Sequence, residues 1–223
     1  MSEDNVTIEP IYIAEHLSYI KASDNPLSAD VILVEGEEYL YVFDVGNNEQ
    51  VAEYLNSLHK KKRVILSHFH ADHMGNIGRV KWESVYFGAN TEKYFQQYIP
   101  DYVAQRVFPR YVTVVDVVKI QDGVSLEIHH TPNSHAKGSL LLQVNEEYIF
   151  IGDSLYSKVD GENYVYNAQL LKEEIELLKH LPGAQIFSSH EERPLTNKGA
   201  VLRFLEQIYE KREKNDAYIR IHQ

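Results

Sequence analysis

Short apolar runs alternate with amphipathic segments along the chain. The runs Ile11–Ile13, Val31–Glu35 and Tyr39–Val45 predict strands, the last two joined in a hairpin at Gly36-Glu37-Glu38. From Glu49 to Lys60 the apolar residues recur at helical spacing, which predicts an amphipathic helix. Strands followed by a helix are typical of a fold that mixes sheet and helix.

The same alternation continues through the rest of the sequence. Further strands are predicted at Arg63–Ser67, Val85–Phe87, Val112–Lys119, Ser125–His129, Ser139–Val144, Tyr148–Ile151 and Gln185–Ser188. Further helices are predicted at Thr91–Phe108 (interrupted near Pro100), Ala168–Lys179 (closed by Pro182-Gly183) and Asn197–Lys214 (capped by Thr196). The two halves have similar layouts, which fits two sheets packed face to face with helices outside, in one domain of residues 1–223.

Composition and charge narrow the function classes. The chain has 223 residues and a formal net charge of −11, which argues against a nucleic acid or an anionic membrane as partner. The expected partner is a small-molecule substrate. The absence of cysteine excludes disulfides and thiolate metal ligands. Residues 1–10 lack the apolar run of a signal peptide, so a cytoplasmic location is expected. The sequence makes no prediction of oligomeric state.

The densest chemical feature is the segment from Ser67 to His73, which follows a predicted strand. It carries His68, His70, Asp72 and His73 within six positions. Neutral imidazoles with a carboxylate suit Zn²⁺, with Mn²⁺, Fe²⁺ or Co²⁺ as substitutes. Because a strand aims the loop that follows it, alternating residues of the loop can face two neighbouring ions. The segment therefore predicts a metal site.

Three more donors occur in the same context, at the end of a predicted strand. His135 follows the strand that ends at His129, Asp153 follows Gly152, and His190 follows Ser188-Ser189. Each could by itself be an ordinary surface residue, but their shared position beside the first cluster makes them candidates for the further donors that a pair of metal ions needs.

This pattern resembles the metallo-β-lactamase superfamily. The motif His-x-His-x-Asp-His, a later His, a Gly-Asp and a final His after a core strand extend over residues 31–190, and Asp44 matches an early structural aspartate of the superfamily. The resemblance implies an αββα sandwich of two mixed sheets with helices on the outer faces, an α+β fold. It also implies a ligand set for two divalent ions: His68, His70 and His135 on the first, Asp72, His73 and His190 on the second, and Asp153 bridging both. Asp44 would support a metal-bound histidine.

The ligands also separate branches of the superfamily. True β-lactamases use a cysteine on the second metal or lack the bridging aspartate, so β-lactam hydrolysis is disfavoured. The segment Gly152-Asp153-Ser154-Leu155-Tyr156 is similar to Gly-Asp-Thr-Leu-Phe of glyoxalase II. Two features depart from that enzyme: the loop Thr131–His135 is one residue longer than Thr-Pro-Gly-His, and the glutathione-binding helical region is missing or reduced.

The resemblance implies a metal-dependent hydrolase in which a metal-bridging hydroxide attacks an ester, thioester or lactone. Two ions about 3.5 to 4 Å apart lower the pKa of a shared water toward neutrality. Asp72 is the candidate catalytic residue that orients or deprotonates this water, and Tyr156 is a candidate oxyanion donor. The alternatives are a mononuclear-iron oxidoreductase similar to the persulfide dioxygenases, and a phosphodiesterase.

Overall fold

In a computed structural model of the chain, residues 8–98, 110–132 and 135–222 are described. The contacts divide the chain into two units, the first extending to Thr113 with Asp122–Val124 added, and the second comprising Val114–Gln121 and the residues from Ser125 onward. Each unit has its own cluster of buried apolar residues. The prediction of one domain over residues 1–223 stays a prediction.

A mixed sheet forms the frame of the first unit. The strands of this unit are β1 (Ile11–Ala14), β2 (Leu17–Ile20), β3 (Ser23–Asp24), β4 (Leu27–Ser28), β5 (Val31–Glu35), β6 (Tyr39–Phe43), β7 (Lys61–Ile65), β8 (Ser84–Gly88) and β9 (Tyr111–Val114). Seven of them form one sheet in the order β1-β2-β5-β6-β7-β8-β9, while β3 pairs with β4. The pairs β6–β7 and β7–β8 are parallel. Parallel neighbours need a crossover, which helix α1 (Glu49–Ser57) provides between β6 and β7.

Much of the first unit agrees with the sequence prediction, although β2, β3 and β4 were not predicted. Strand β5 has the predicted bounds, and it pairs antiparallel with β6 through the predicted hairpin. Strand β7 ends at Ile65, two residues before the predicted end. The polar segment after β7 forms the short helix α2 (Ala71–Met74) and a 3₁₀ helix (Gly75–Gly78). Helix α3 covers Ala89–Tyr98, and the rest of the helix predicted to reach Phe108, with its break at Pro100, lies outside the described residues.

The second unit contains a six-stranded and a three-stranded sheet. Its strands are β10 (Val118–Gln121), β11 (Ser125–His130), β12 (Leu140–Val144), β13 (Tyr148–Phe150), β14 (Lys158–Asp160), β15 (Asn163–Asn167), β16 (Gln185–Phe187), β17 (Leu195–Asn197) and β18 (Tyr218–His222). The larger sheet has the order β10-β11-β12-β13-β16-β17, and the smaller has the order β14-β15-β18. Only the pair β13–β16 is parallel among the pairings described in this unit. Helices α4 (Ala168–His180) and α5 (Lys198–Glu210) complete the unit.

Two sequence predictions in this part of the chain are wrong. The strand predicted at Val112–Lys119 is interrupted by a bend at 115–116, so that β9 joins the first sheet and β10 joins the second. Asp116 lies in this bend, and aspartate is depleted in strands. The last helix is capped by Asn197 instead of Thr196, because the Asn197 side chain accepts a hydrogen bond from the N–H of Ala200.

Among the described residues, no helix is long and apolar enough to cross a membrane.

Candidate metal centre

The first group of donors lies at the carboxyl edge of the first sheet. Parallel strands end at the same edge, so Asp44, which follows β6, lies beside Ser67 and His68, which follow β7. His70 occupies the N-cap position of α2, and Asp72 and His73 lie on that helix. The structure thus brings together all four donors predicted from the His68–His73 segment.

Asp44 holds this group together through its carboxylate. One oxygen, Oδ1, accepts the backbone N–H of Ser67 at 2.7 Å. The other, Oδ2, accepts the Ser67 hydroxyl and Nδ1–H of His73, each at 2.7 Å. Asp44 has a left-handed backbone with φ of 61°, a conformation that aspartate tolerates better than most residues. The predicted contact of Asp44 with a candidate metal-binding histidine is therefore present.

These bonds fix the tautomers of two histidines. The Ser67 hydroxyl donates its single proton to Asp44, so its oxygen accepts Nδ1–H of His68 at 2.9 Å. Asp44 accepts Nδ1–H of His73. Both rings therefore carry their proton on Nδ1 and present the lone pair on Nε2, which is the form that binds a metal.

The donor atoms of the first group are close to one another. Nε2 of His68 lies 3.0 Å from Nδ1 of His70, and Nε2 of His73 lies 3.6 Å from Oδ2 of Asp72. His68 and His73 are buried, whereas His70 and Asp72 are partly exposed. All four residues are among those that could hold a metal ion, and the two partly exposed donors lie at the surface.

The second group of donors is centred on Asp153. Its Oδ2 lies 3.5 Å from Nε2 of His135, and its Oδ1 lies 4.0 Å from Nε2 of His190. Asp153 is buried, and the two imidazoles are about one-fifth exposed. Each oxygen of the carboxylate thus faces a different histidine, an arrangement suited to binding two ions.

Strand topology explains why these three residues meet. Strands β13 and β16 are parallel neighbours, so Asp153 after β13 and His190 after β16 lie at one edge. The N–H of Ser189 donates to the carbonyl of Gly152 at 3.2 Å, which joins the two loops. His190 has a φ of 64°, so its loop turns through a left-handed residue. His135 follows β11, although Asn133 and Ser134 of its predicted longer loop lie outside the described residues.

Tyr156 lies near the second group. Its ring centroid is 6.3 Å from that of His135. The hydroxyl donates to the carbonyl oxygen of Ser189 at 2.5 Å and lies 3.3 Å from a carboxylate oxygen of Glu191. To stabilise a substrate oxyanion, the hydroxyl would have to leave Ser189, and this role stays a prediction.

The structure places every predicted donor within one of the two groups, while their roles as ligands stay predictions. Sequence reasoning did not single out Ser67, whose hydroxyl links Asp44 to His68. A small polar residue between a buried strand and the first histidine was the available indication. The catalytic role of Asp72 also stays a prediction.

Comparison with known proteins identifies the family. A family profile described as "Metallo-beta-lactamase superfamily" matches residues 24–190, three quarters of the chain. The chain belongs to the metallo-β-lactamase superfamily. No curated protein matches the sequence significantly.

Solved structures confirm the predicted fold class of mixed sheets with helices, that of the metallo-β-lactamase αββα sandwich. A superfamily protein from Sulfolobus tokodaii is 20% identical, with a TM-score of 0.61 over 91% of this chain and 90% of that one. The metallo-β-lactamase FIM-1 from Pseudomonas aeruginosa is 15% identical, with a TM-score of 0.65 over 92% and 96%. Rubredoxin oxygen:oxidoreductase from Desulfovibrio gigas is 12% identical, with a TM-score of 0.67 over 93% of this chain and 63% of that one. At these identities the likeness concerns the fold alone.

Proposed function

We propose that the protein is a metal-dependent hydrolase that uses two divalent ions, zinc in the first place, on a small ester, thioester or lactone. The ligands would be shared as the family resemblance implies: His68, His70 and His135 on one ion, Asp72, His73 and His190 on the other, and Asp153 on both. The observation that carries the proposal is the pair of hydrogen-bonded paths that start at the Asp44 carboxylate. One runs through the Ser67 hydroxyl to His68, and the other runs directly to His73. Together they prepare two imidazoles as ligands before any metal binds.

The residues fit divalent ions by their chemistry. Imidazole nitrogen and carboxylate oxygen are ligands of zinc, and also of manganese and iron. A carboxylate behind a metal-binding histidine fixes the ring and raises its basicity, and the Asp44–His73 bond at 2.7 Å matches that arrangement. When bound, two such ions supply Lewis acidity and a water of lowered pKa.

The side chains of the chain would supply the proton transfer. Asp72 is 17% exposed and lies 3.6 Å from Nε2 of His73, so its carboxylate can reach a water at the surface of the site and hold a proton. Since metal-activated water serves as the nucleophile in such sites, no covalent intermediate on a serine is required. Asp72 is the proposed catalytic residue.

Oxidoreductase chemistry is the second candidate. The superfamily consists mostly of metal-dependent hydrolases, but some structural neighbours are oxidoreductases, including the Desulfovibrio gigas protein. A persulfide dioxygenase-like reaction would use a single iron. The third candidate function is phosphodiester hydrolysis of a nucleic acid. The net charge of −11 disfavours it, because a protein that binds a nucleic acid needs a basic surface.

The test is the metal content of the purified protein, measured by elemental mass spectrometry on the wild type and two variants. We expect about two zinc or manganese ions per chain, lost in large part from His68→Ala and retained in His59→Ala, which removes an exposed histidine outside both groups. Esters, thioesters and lactones would then be screened for hydrolysis. One iron per chain with oxygen consumption would refute the hydrolase and favour the oxidoreductase.

A further inference from the structure

Glu174 is a carboxylate on the buried face of helix α4. That face consists of Ala168, Leu171, Ile175 and Leu178, and Glu174 occupies the position between Leu171 and Leu178 where an apolar side chain is expected. It is only 2% exposed. Neither of its two oxygens has a hydrogen-bond partner among the described residues.

A cavity of about 120 Å³ adjoins Glu174. Glu174 lines it together with apolar side chains such as Leu155 and Leu205 and with three tyrosines: Tyr156, Tyr166 and Tyr218. The volume is that of about four water molecules. Lys158 and Tyr218 also line the cavity and are exposed, so its wall reaches solvent.

An unpartnered carboxyl group in such a place needs an explanation. Buried polar side chains are nearly always hydrogen-bonded, and an unpaired charge is costly to bury. Burial raises the pKa of Glu174 to about 8, so the carboxyl is mainly neutral at pH 7. A cation that enters the cavity would remove this penalty by pairing with the ionised form.

We propose that this cavity is a binding site for a primary ammonium group on a short aliphatic chain. Glu174 would receive the ammonium group, tyrosine rings attract cations through their faces, and the leucines would contact the chain. The volume admits an ammonium group with about three carbons, if each occupies the space of one water. Lys158 also lines the cavity, but its side chain is exposed and it is not a hydrogen-bond partner of Glu174.

The proton balance of this binding step follows from the two charge states. The ligand enters as R–NH₃⁺, and the neutral Glu174 carboxyl releases one proton to the buffer to become a carboxylate. Binding near pH 7 should therefore release close to one proton per ligand. The site differs from the candidate metal centre, and its occupation does not depend on the proposed hydrolase activity.

The test is calorimetric titration of propylammonium chloride into the purified protein at pH 7. We expect saturable binding, at least tenfold weaker binding of the neutral 1-propanol, and proton release measured from buffers of different ionisation enthalpy. Glu174→Gln should weaken propylammonium binding at least tenfold. The control Glu173→Gln changes an exposed carboxylate on the same helix and should bind as the wild type does.

Two further measurements separate the alternatives. Repeating the titration on His68→Ala tests for amine bound at the metal, and binding lost in that variant would overturn the proposal. Thermal unfolding of Glu174→Gln confirms that the variant is folded. Equal binding of propanol and propylammonium, or unchanged propylammonium binding by Glu174→Gln, would overturn the proposal, and no saturable binding of propylammonium would show that the cavity holds only water.

Discussion

Replacing Glu174 with glutamine should make the protein more stable at neutral pH. Glutamine has nearly the same shape as the neutral carboxylic acid, but it has no proton to lose. Burial raises the pKa of Glu174 from 4.5 to about 8, so the folded protein holds a proton that the unfolded chain releases above pH 4.5. The folded state binds more protons in this range, and its stability therefore falls as the pH rises.

The magnitude follows from the two pKa values. One pH unit corresponds to about 1.4 kcal/mol. Between pH 4.5 and pH 7 the wild type should lose about 3 kcal/mol relative to Glu174→Gln, and by pH 8 the difference should reach about 4 kcal/mol. Well below pH 4.5 both side chains are neutral in both states, and the difference should vanish.

Urea unfolding from pH 4 to pH 8.5, followed by circular dichroism, measures this difference. A chelator in all samples removes any stabilisation by bound metal, and other titrating groups cancel between the two proteins. Glu173→Gln, on the same helix but exposed, should differ from wild type by no more than about 0.5 kcal/mol. A constant difference across the pH range, or a less stable Glu174→Gln at pH 7, would refute the reasoning.

Three other perturbations test separate parts of the structure. Asp44→Asn keeps a residue that tolerates a left-handed backbone but removes the charge behind His73, so zinc affinity in a chelator competition should fall about 10- to 100-fold; an unchanged affinity would contradict the bracing role. Asp122→Ala removes the acceptor for two backbone N–H groups of the β5–β6 hairpin and should cost about 1–2 kcal/mol in urea unfolding; an unchanged midpoint would show that water replaces the carboxylate. Asn197→Ala should cost about 1 kcal/mol and Thr196→Ala less, and the reverse order would restore Thr196 as the cap.

Local patterns were sufficient for elements that carry their own apolar run. Strand β5 is buried at four of its five positions, so its sequence alone identified it. The three-stranded sheet was missed for the opposite reason. All three residues of β14 are exposed, and β15 gains its strand structure by pairing with β18, which lies more than fifty residues later. Strand β18 does alternate between exposed and more buried positions, so its sequence contained a period-two signal that was missed.

The candidate site shows the same division. Its donors could be predicted because several rare residue types occur together, at the ends of predicted strands. The side-chain hydrogen bond between Ser67 and His68 could not be predicted, because it depends on the orientation that the left-handed backbone gives to the Asp44 side chain. Glu174 was also missed, although its spacing from Leu171 and Leu178 places it on the apolar face of α4. The helical spacing of the apolar residues in α4 predicts the helix whether or not one position on its apolar face is charged, so the pattern alone did not draw attention to Glu174.

The contacts and backbone conformation of Asp44 limit which substitutions this position can accept. Its side chain serves three groups, and its left-handed backbone disfavours most residues by about 1–2 kcal/mol. Glutamate would keep the charge but add a methylene group, and asparagine would keep the backbone but lose the charge. A saturation library at codon 44 should therefore return aspartate alone. Any single substitution of Asp44 is therefore expected to reduce stability or metal affinity.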